Sequence, residues 1–479
     1  MTTYTVEKIG GTSMSAFDTV LDNILLRPAT EGSLYNRVFV VSAYGGLTDS
    51  LLECKRTGKP GVYSLVASGD ERWINELDTV EQRMLLTNDH MFADPMDRMA
   101  ADKFIRSRAS EARRCIMHLL EVCQYGQFDL SNYLPEIREF LASLGEVHSA
   151  YNTALKLKSM GINATFVDLS LWDAETLPES LEQAISQAFE KIDIKTELPI
   201  VTGYAASKQG VMSLYDRGYS EMTFSRLASV TNADLAIIHK EYHLSSADPR
   251  VVGAESVKPV GETNFDVADQ LASLGMEAIH PRAAACLRES GIELQIKNTF
   301  EPDHDGTLIS EHYTSDDESV EIVAGKAKVH ALQLFDQSHA CHIDKVSLDL
   351  MTIIEPMTLE VISKEMTANS LTYYLCGSAS TIDKVKQRLK KNYPEAQVSC
   401  QVVSMVSAIG TRIDSTETLS IGTRALAEAG ISPVALHAPV RNVSVQYVVE
   451  EGEYQQALGV VHQALCEPER DACGLKGVA

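Results

Sequence analysis

Six short apolar runs, at residues 4–9, 38–43, 164–168, 198–202, 235–238 and 294–297, constrain the fold more than any other feature of this chain. Most are near-continuously apolar rather than alternating as in a strand with one wet face, and stretches of helical period separate them. Strands without a wet face need cover on both sides. The pattern therefore predicts a mainly parallel sheet sandwiched between helices, a three-layer α/β arrangement. Ligands of such sheets gather beyond the carboxyl ends of the strands.

The first run ends in Lys8-Ile9-Gly10-Gly11-Thr12-Ser13. Gly10 and Gly11 are expected to turn with φ > 0 and bring bare N–H groups against an anion. Thr12 and Ser13 would donate hydroxyls, or cap a helix over residues 14–25. Lys8 would set a compact cation where a phosphoryl group gains charge in transfer. Taken alone, this match equally describes an ordinary strand-to-helix turn. The second run ends alike, in Ser42-Ala43-Tyr44-Gly45-Gly46-Leu47-Thr48-Asp49, and the two loops suit one shared pocket.

Residues 50–140 read as a helical layer without chemistry, clearest over 81–86 and 99–122. A helix expected from Ser143 through Lys158 places Glu146 near its N-terminus, where an exposed acid would favour the helix dipole. His148 receives no role. Beyond residue 202, Arg217 and Ser220 ahead of a helix suit a carboxylate, because the guanidinium fork matches two oxygens. The histidines at 239, 243 and 280 are too scattered for a metal site and read as structural.

With 479 residues the chain exceeds one core and predicts roughly two to four domains. No basic leader precedes the first strand and no apolar run nears ~18 residues, so neither a signal peptide nor a membrane span is expected, and a cytoplasmic location follows. Nine cysteines without a C-x-x-C pair fit reduced thiols. A net charge of −24 argues against nucleic acid or an anionic membrane as partner.

The acidic turn Ser315-Asp316-Asp317-Glu318 marks a boundary. Beyond it come strand 329–335, helix 343–351, strands 359–363 and 371–376, helix 382–393 and strand 397–402, one βαββαβ unit. A second unit follows: strand 403–409, helix 419–429, strands 434–437 and 443–449, helix 454–466. The expected domains are 1–314, 320–402 and 403–479, with one small module able to complete the other's sheet.

These residues resemble the aspartate kinases of the amino-acid kinase superfamily over essentially the whole chain. Lys8-Ile9-Gly10-Gly11-Thr12-Ser13 is similar to K-F-G-G-T-S, residues 41–48 to V-S-A-x-x-G-x-T, Gly145-Glu146 to the family's G-E, and Arg217-Gly218-Tyr219-Ser220-Glu221 to R-G-G-S-D. Ala247-Asp248-Pro249-Arg250, His280-Pro281-Arg282 and Lys297-Asn298-Thr299 match intact, and the C-terminal modules resemble tandem ACT domains. The runs 242–249, 407–410 and 441–446 also resemble the subgroup found in ectoine biosynthesis clusters. The chain departs from the family at His239-Lys240-Glu241-Tyr242-His243-Leu244-Ser245, where T-D-x-x-G-x-Y is usual, and at Glu221, which stands for Asp.

The resemblance implies phosphoryl transfer from MgATP to the side-chain carboxylate of L-aspartate. Lys8 would hold the transferring group, and Gly10 and Gly11 would donate backbone N–H groups, with Thr12 and Ser13 beside them. Ser42 and Thr48 would hold the substrate end, Glu146 and Glu221 would meet the α-ammonium, and Arg217 would clamp a carboxylate assisted by Ser220. Lys240, Ser245, Asp248, Arg250 and Lys297 would line the nucleotide side, with Mg²⁺ resting on phosphate oxygens and water. Two other readings stay open: a kinase for another amino-acid carboxylate or a carbamate, and an inactive amino-acid sensor. The modules further imply a homodimer or higher homo-oligomer and an amino-acid effector. Because the loop 335–342 lacks the glycine that would admit an effector carboxylate, and strand 361–368 lacks the family's T-S-E-x-S-V-S-like run, weak inhibition by lysine or threonine is expected.

Overall fold

The structure is a computed structural model and describes residues 3–28, 33–55, 57–276, 278–337, 343–357 and 359–467. It divides into two compact units, Met1–Leu244 with Ile279–Glu311, and Ser245–Ala278 with His312–Ala479. Strands in chain order are β1 (Thr5–Ile9), β2 (Arg37–Val41), β3 (Ala164–Val167), β4 (Leu198–Thr202), β5 (Leu235–Lys240), β6 (Glu262–Asn264), β7 (Glu293–Asn298) and β8 (Thr307–Ser310).

In the first unit the strand order is β3-β4-β2-β1-β5-β7-β8. Every neighbouring pair is parallel except β7 with β8. All residues of β1, β2 and β4 are buried, as runs without polar alternation require. β1 lies in the middle, so Lys8 and Gly10 have neighbours on both sides.

Helices Trp73–Met91, Pro95–Cys123 and Leu134–Ser159 form the helical layer. The third starts well before the expected Ser143, with Pro135 in its first turn and the apolar residues Ile137, Leu141 and Leu144 carrying the period through. Gly145 and Glu146 therefore sit in mid-helix, and Glu146 is buried rather than a surface acid near an N-terminus.

The glycine turn also corrects an expectation. Gly10 has φ −69°, and Gly11 is not among the positive-φ glycines. Close approach is the reason for glycine instead: a Cβ on Gly11 would stand 2.6 Å from the Ala43 carbonyl oxygen. The helix opens at Gly11, and neither Thr12 nor Ser13 caps it. It is broken into Gly11–Ser15, Phe17–Val20 and a wide turn at Leu21–Leu25.

The second unit contains β9 (Ile322–Phe335), β10 (Glu360–Met366), β11 (Ser370–Cys376), β12 (Gln397–Ile409), β13 (Ala435–His437) and β14 (Ser444–Glu450). They form one antiparallel sheet in the order β10-β11-β9-β12-β14-β13. β9 starts at Ile322, ahead of the expected 329, and pairs with β12 from Phe335↔Gln397 to Ile322↔Ile409, with a bulge between Val403 and Met405. One half of each long strand serves each ferredoxin-like module. Helices Ile343–Ile354 and Ala379–Asn392 cover the first, and Ser415–Glu428 and Tyr454–Cys466 the second. Within the expected effector loop, residues 338–342 lie outside the described residues.

Ser245–Ala278 is tied into this unit. Ala247 belongs to the core of Val323, Val406, Tyr447 and Val449. The Val323 N–H donates to the Ser246 carbonyl at 2.7 Å, and Ser246 Oγ lies 2.9 Å from Nε2 of the buried His462. Among the described residues, no helix is long and apolar enough to cross a membrane.

Candidate active site

Alternation along β1 sends Glu7 and Lys8 to opposite faces of the sheet. On the Glu7 face, Glu7 accepts from Arg37 Nε at 2.6 Å, Arg37 Nη2 at 3.0 Å, Thr5 Oγ1 at 2.9 Å and His239 Nε2 at 2.7 Å. On the other face, Lys8 Nζ meets Glu221 Oε1 at 3.3 Å, and the backbone N–H of His280 donates to Glu221 Oε2 at 2.5 Å. Glu221 stands in the first turn of helix Tyr219–Val230. Burial pushes its carboxyl up, but Lys8 and Lys240 outweigh burial and hold it below its ordinary value. Lys240 shares the Lys8 face, since Lys8 is in register with Ile238, two residues before it.

Past the carboxyl end of β2, Glu146 reaches in from mid-helix. Its helix comes close only because residue 145 is glycine: a Cβ there would stand 2.6 Å from the Ala43 Cβ. Glu146 Oε1 accepts from the Tyr219 hydroxyl at 2.6 Å, while the buried Oε2 has no hydrogen-bond partner among the described residues. Burial pushes this carboxyl up to about 7, against the pull of the Tyr219 hydrogen bond and the Lys8 charge. Thr48 hydrogen-bonds to the same phenol, and Ser42 Oγ lies 3.4 Å from Ser220 Oγ. Lys8, Ser42, Thr48, Glu146, Ser220 and Glu221 thus surround one end of the sheet.

The cradle residues are also there. Ser13 Oγ donates to Glu241 Oε1 at 3.1 Å and receives the Thr299 hydroxyl at 3.0 Å, while Thr12 is exposed. Lys297 is in register with His239, on the face away from Lys8. Asp216, at φ 48°, holds a left-handed turn just before Arg217, and its carboxylate pairs with Lys55 and Arg138. The side chain of Arg217 lies outside the described residues.

Ser245, Asp248 and Arg250 belong to the second unit. There Asp248 caps the turn Pro249–Val252, and its carboxylate pairs with Arg250 at 2.8 Å. The two residues therefore serve one another, and Arg250 is largely exposed.

Several site residues escaped sequence reasoning. Tyr219 occupies the glycine position of R-G-G-S-D, a signal that was legible but has no meaning until its phenol is seen on Glu146. His280 acts through its backbone N–H, which no side-chain argument finds. A Cβ on Gly218 would meet the His280 ring at 2.5 Å, so this glycine seats His280 beside Glu221.

Lys8 and Lys240 on one face, beside glycine backbone, suit the phosphates of a nucleotide. Among the described residues no group of three His, Cys, Asp or Glu side chains gathers around a metal position.

Residues 3–298 match the amino acid kinase family. Over 468 residues, 97% of this chain and 98% of the relative, the sequence is 47% identical to aspartate kinase Ask_Ect of Stutzerimonas stutzeri. Aspartokinase 1 of Arabidopsis thaliana, a chloroplast protein, is 22% identical over 96% of this chain and 80% of its own length. Among solved structures, Escherichia coli aspartokinase III in complex with aspartate and ADP superposes with a TM-score of 0.71 at 18% identity, covering 96% of this chain and 99% of that one. Aspartate kinase from Clostridium acetobutylicum gives a TM-score of 0.67 at 18% identity over 97% and 100%. The chain belongs to the amino acid kinase family. Within it, the chain is an aspartate kinase, a phosphotransferase of the kind the ectoine-cluster resemblance anticipated.

Proposed function

We propose that this aspartate kinase moves the γ-phosphoryl group of ATP to the side-chain carboxylate of L-aspartate, giving 4-phospho-L-aspartate. The observation that carries this reading is Glu146, a buried carboxylate with one unpartnered oxygen, set beside the Lys8–Glu221 pair. A buried acid open on one side suits a cation brought by the ligand, here the α-ammonium.

A carboxylate oxygen is already nucleophilic, so no general base is needed, and catalysis is positioning plus charge stabilisation. Lys8 holds the transferring phosphoryl group as charge builds, with Gly10, Gly11, Thr12 and Ser13 lining its path. Glu221, engaged at both oxygens, fixes Lys8 as well as facing the amino group. Ser42, Thr48 and Ser220 hold the substrate end, and Arg217 clamps a carboxylate. Lys240 lines the nucleotide side. Mg²⁺ bound with the nucleotide would neutralise phosphate charge, resting on phosphate oxygens and water rather than on this chain.

The stretch 1–314 carries the chemistry in this reading, and 320–402 and 403–479 act as regulatory modules that pair between copies of the chain. Ectoine biosynthesis is the pathway served, in the cytoplasm, with weak inhibition by lysine or threonine. Trapping acyl phosphate as hydroxamate, across a panel of amino acids with ATP, tests the assignment. Turnover is expected with L-aspartate and little with glutamate; product only from another amino acid would reassign the substrate.

A further inference from the structure

We propose that Tyr219 is a positioning residue for substrate recognition: its phenol occupies one oxygen of Glu146 and leaves the other open to receive the α-ammonium of an amino acid. This rests on the aspartate kinase reading above and adds a residue and a selectivity to it. Where the family pattern R-G-G-S-D has its second glycine, this chain puts a phenol.

The phenol is held from several sides. Tyr219 is buried at the start of helix Tyr219–Val230, with its ring edge-on to Tyr204 at 5.8 Å. The hydroxyl reaches Glu146 Oε1 at 2.6 Å and also hydrogen-bonds to Thr48. Burial and the neighbouring Glu146 charge keep the phenol protonated, so it is the donor. Glu146 Oε1 is thereby spoken for, and the buried Oε2 is left without a partner.

Among the described residues, the groups facing Glu146 are few. Lys8 approaches from β1, Tyr204 from beyond β4, Tyr219 from its helix, and the Ala43 backbone from beyond β2. Lys8 is the one cation among them, and it already pairs with Glu221. Among the described residues, Glu146 therefore lacks a full counter-charge until a ligand supplies one. A primary ammonium does so, whereas the deamino dicarboxylate succinate would leave Oε2 orphaned and add a negative charge near it. The arrangement selects α-amino acids over plain diacids.

The test uses the full-length chain with Tyr219→Phe, which keeps the ring and removes the hydroxyl. A hydrogen bond to the ionised form favours ionisation, so its loss makes Glu146 harder to ionise. At pH 7 the KM for aspartate should rise about tenfold, with kcat and the KM for ATP little changed. The acid limb of the aspartate KM profile should move upward by about one pH unit, so that the gap to wild type narrows by pH 9. Superimposable aspartate profiles for variant and wild type would overturn the proposal, as would an equal rise in the KM for ATP.

A measurement on the wild type protects against a variant that does not fold. Calorimetric titration of aspartate in buffers of different ionisation enthalpy should show proton release to buffer near pH 7, as the ammonium drives Glu146 to ionise, and none in Glu146→Gln. Absence of proton release in the wild type also overturns the proposal. Failure of the underlying reading looks different, because the wild type would then give no aspartyl hydroxamate at all.

Discussion

Two glutamates of the first unit are equally buried and differ in every other respect. Glu7 is saturated by Arg37, His239 and Thr5, and although burial pushes its carboxyl up, Arg37 and His239 win and hold it well below the usual range. Glu146 has a neutral side-chain donor on one oxygen and no side-chain donor on the other among the described residues, and burial wins over that donor and the nearby backbone N–H groups, pushing its carboxyl up to about 7. The first is a finished internal ion network that stitches β1, β2 and β5 together. The second is unfinished among the described residues, as the proposed ammonium receptor requires. Completeness of hydrogen bonding separates a structural charge from a receiving one better than burial does.

The sharpest way to break this comparison is Arg37→Met. It strands the Glu7 charge and should cost ~3–5 kcal/mol in urea unfolding, with little change in kcat for the protein that remains folded. A stable but inactive variant would place the Glu7 network in the catalytic machinery.

Lys8→Ala comes next, one residue along β1, with the balance reversed: kcat falling by roughly 10²–10³ and a modest change in KM, while stability drops less than in Arg37→Met, because Lys240 and the His280 N–H still serve Glu221. Near-normal turnover would remove Lys8 from the chemistry.

Glu146→Gln should weaken aspartate binding by roughly 1.5–3 kcal/mol, read as a higher KM with the KM for ATP unchanged. At pH 8 it should also unfold later than the wild type, because it no longer buries a partly compensated charge. A destabilised Glu146→Gln at that pH would mean that Glu146 is as structural as Glu7.

The smallest effect is read for its sign. Glu7, with a lowered carboxyl, adds stability that is fully present above its unfolded value of 4.5 and lost as pH falls below it. Glu146, with a raised one, is protonated in both states at low pH, so its cost appears as pH rises from 4.5 through about 7. Glu146→Gln should therefore gain most on the wild type above pH 7 and little at pH 4.5, in thermal melts across that range.

Most strands of both units were legible in the sequence, because their apolar runs leave little choice, whereas β6 and β8, at three and four residues, are too short to show a pattern and were not expected. Helix Leu134–Ser159 was legible only in part: glycine and a glutamate at 145 and 146 read as a start, while tertiary packing against Ala43 makes them a midpoint. The φ of Gly10 and Gly11 was misjudged for a related reason, since a crowding neighbour, Ala43, belongs to another strand's loop. The Tyr219–Glu146 contact spans 73 positions of sequence and the Glu7–His239 contact spans 232. No local pattern encodes such pairings.

Ser246 and Ala247 carry a last consequence. They immediately precede Asp248, yet their partners are Val323 and His462, far down the chain. A fragment cut after residue 314 would strip this segment of its core, so the C-terminal half is not a removable accessory.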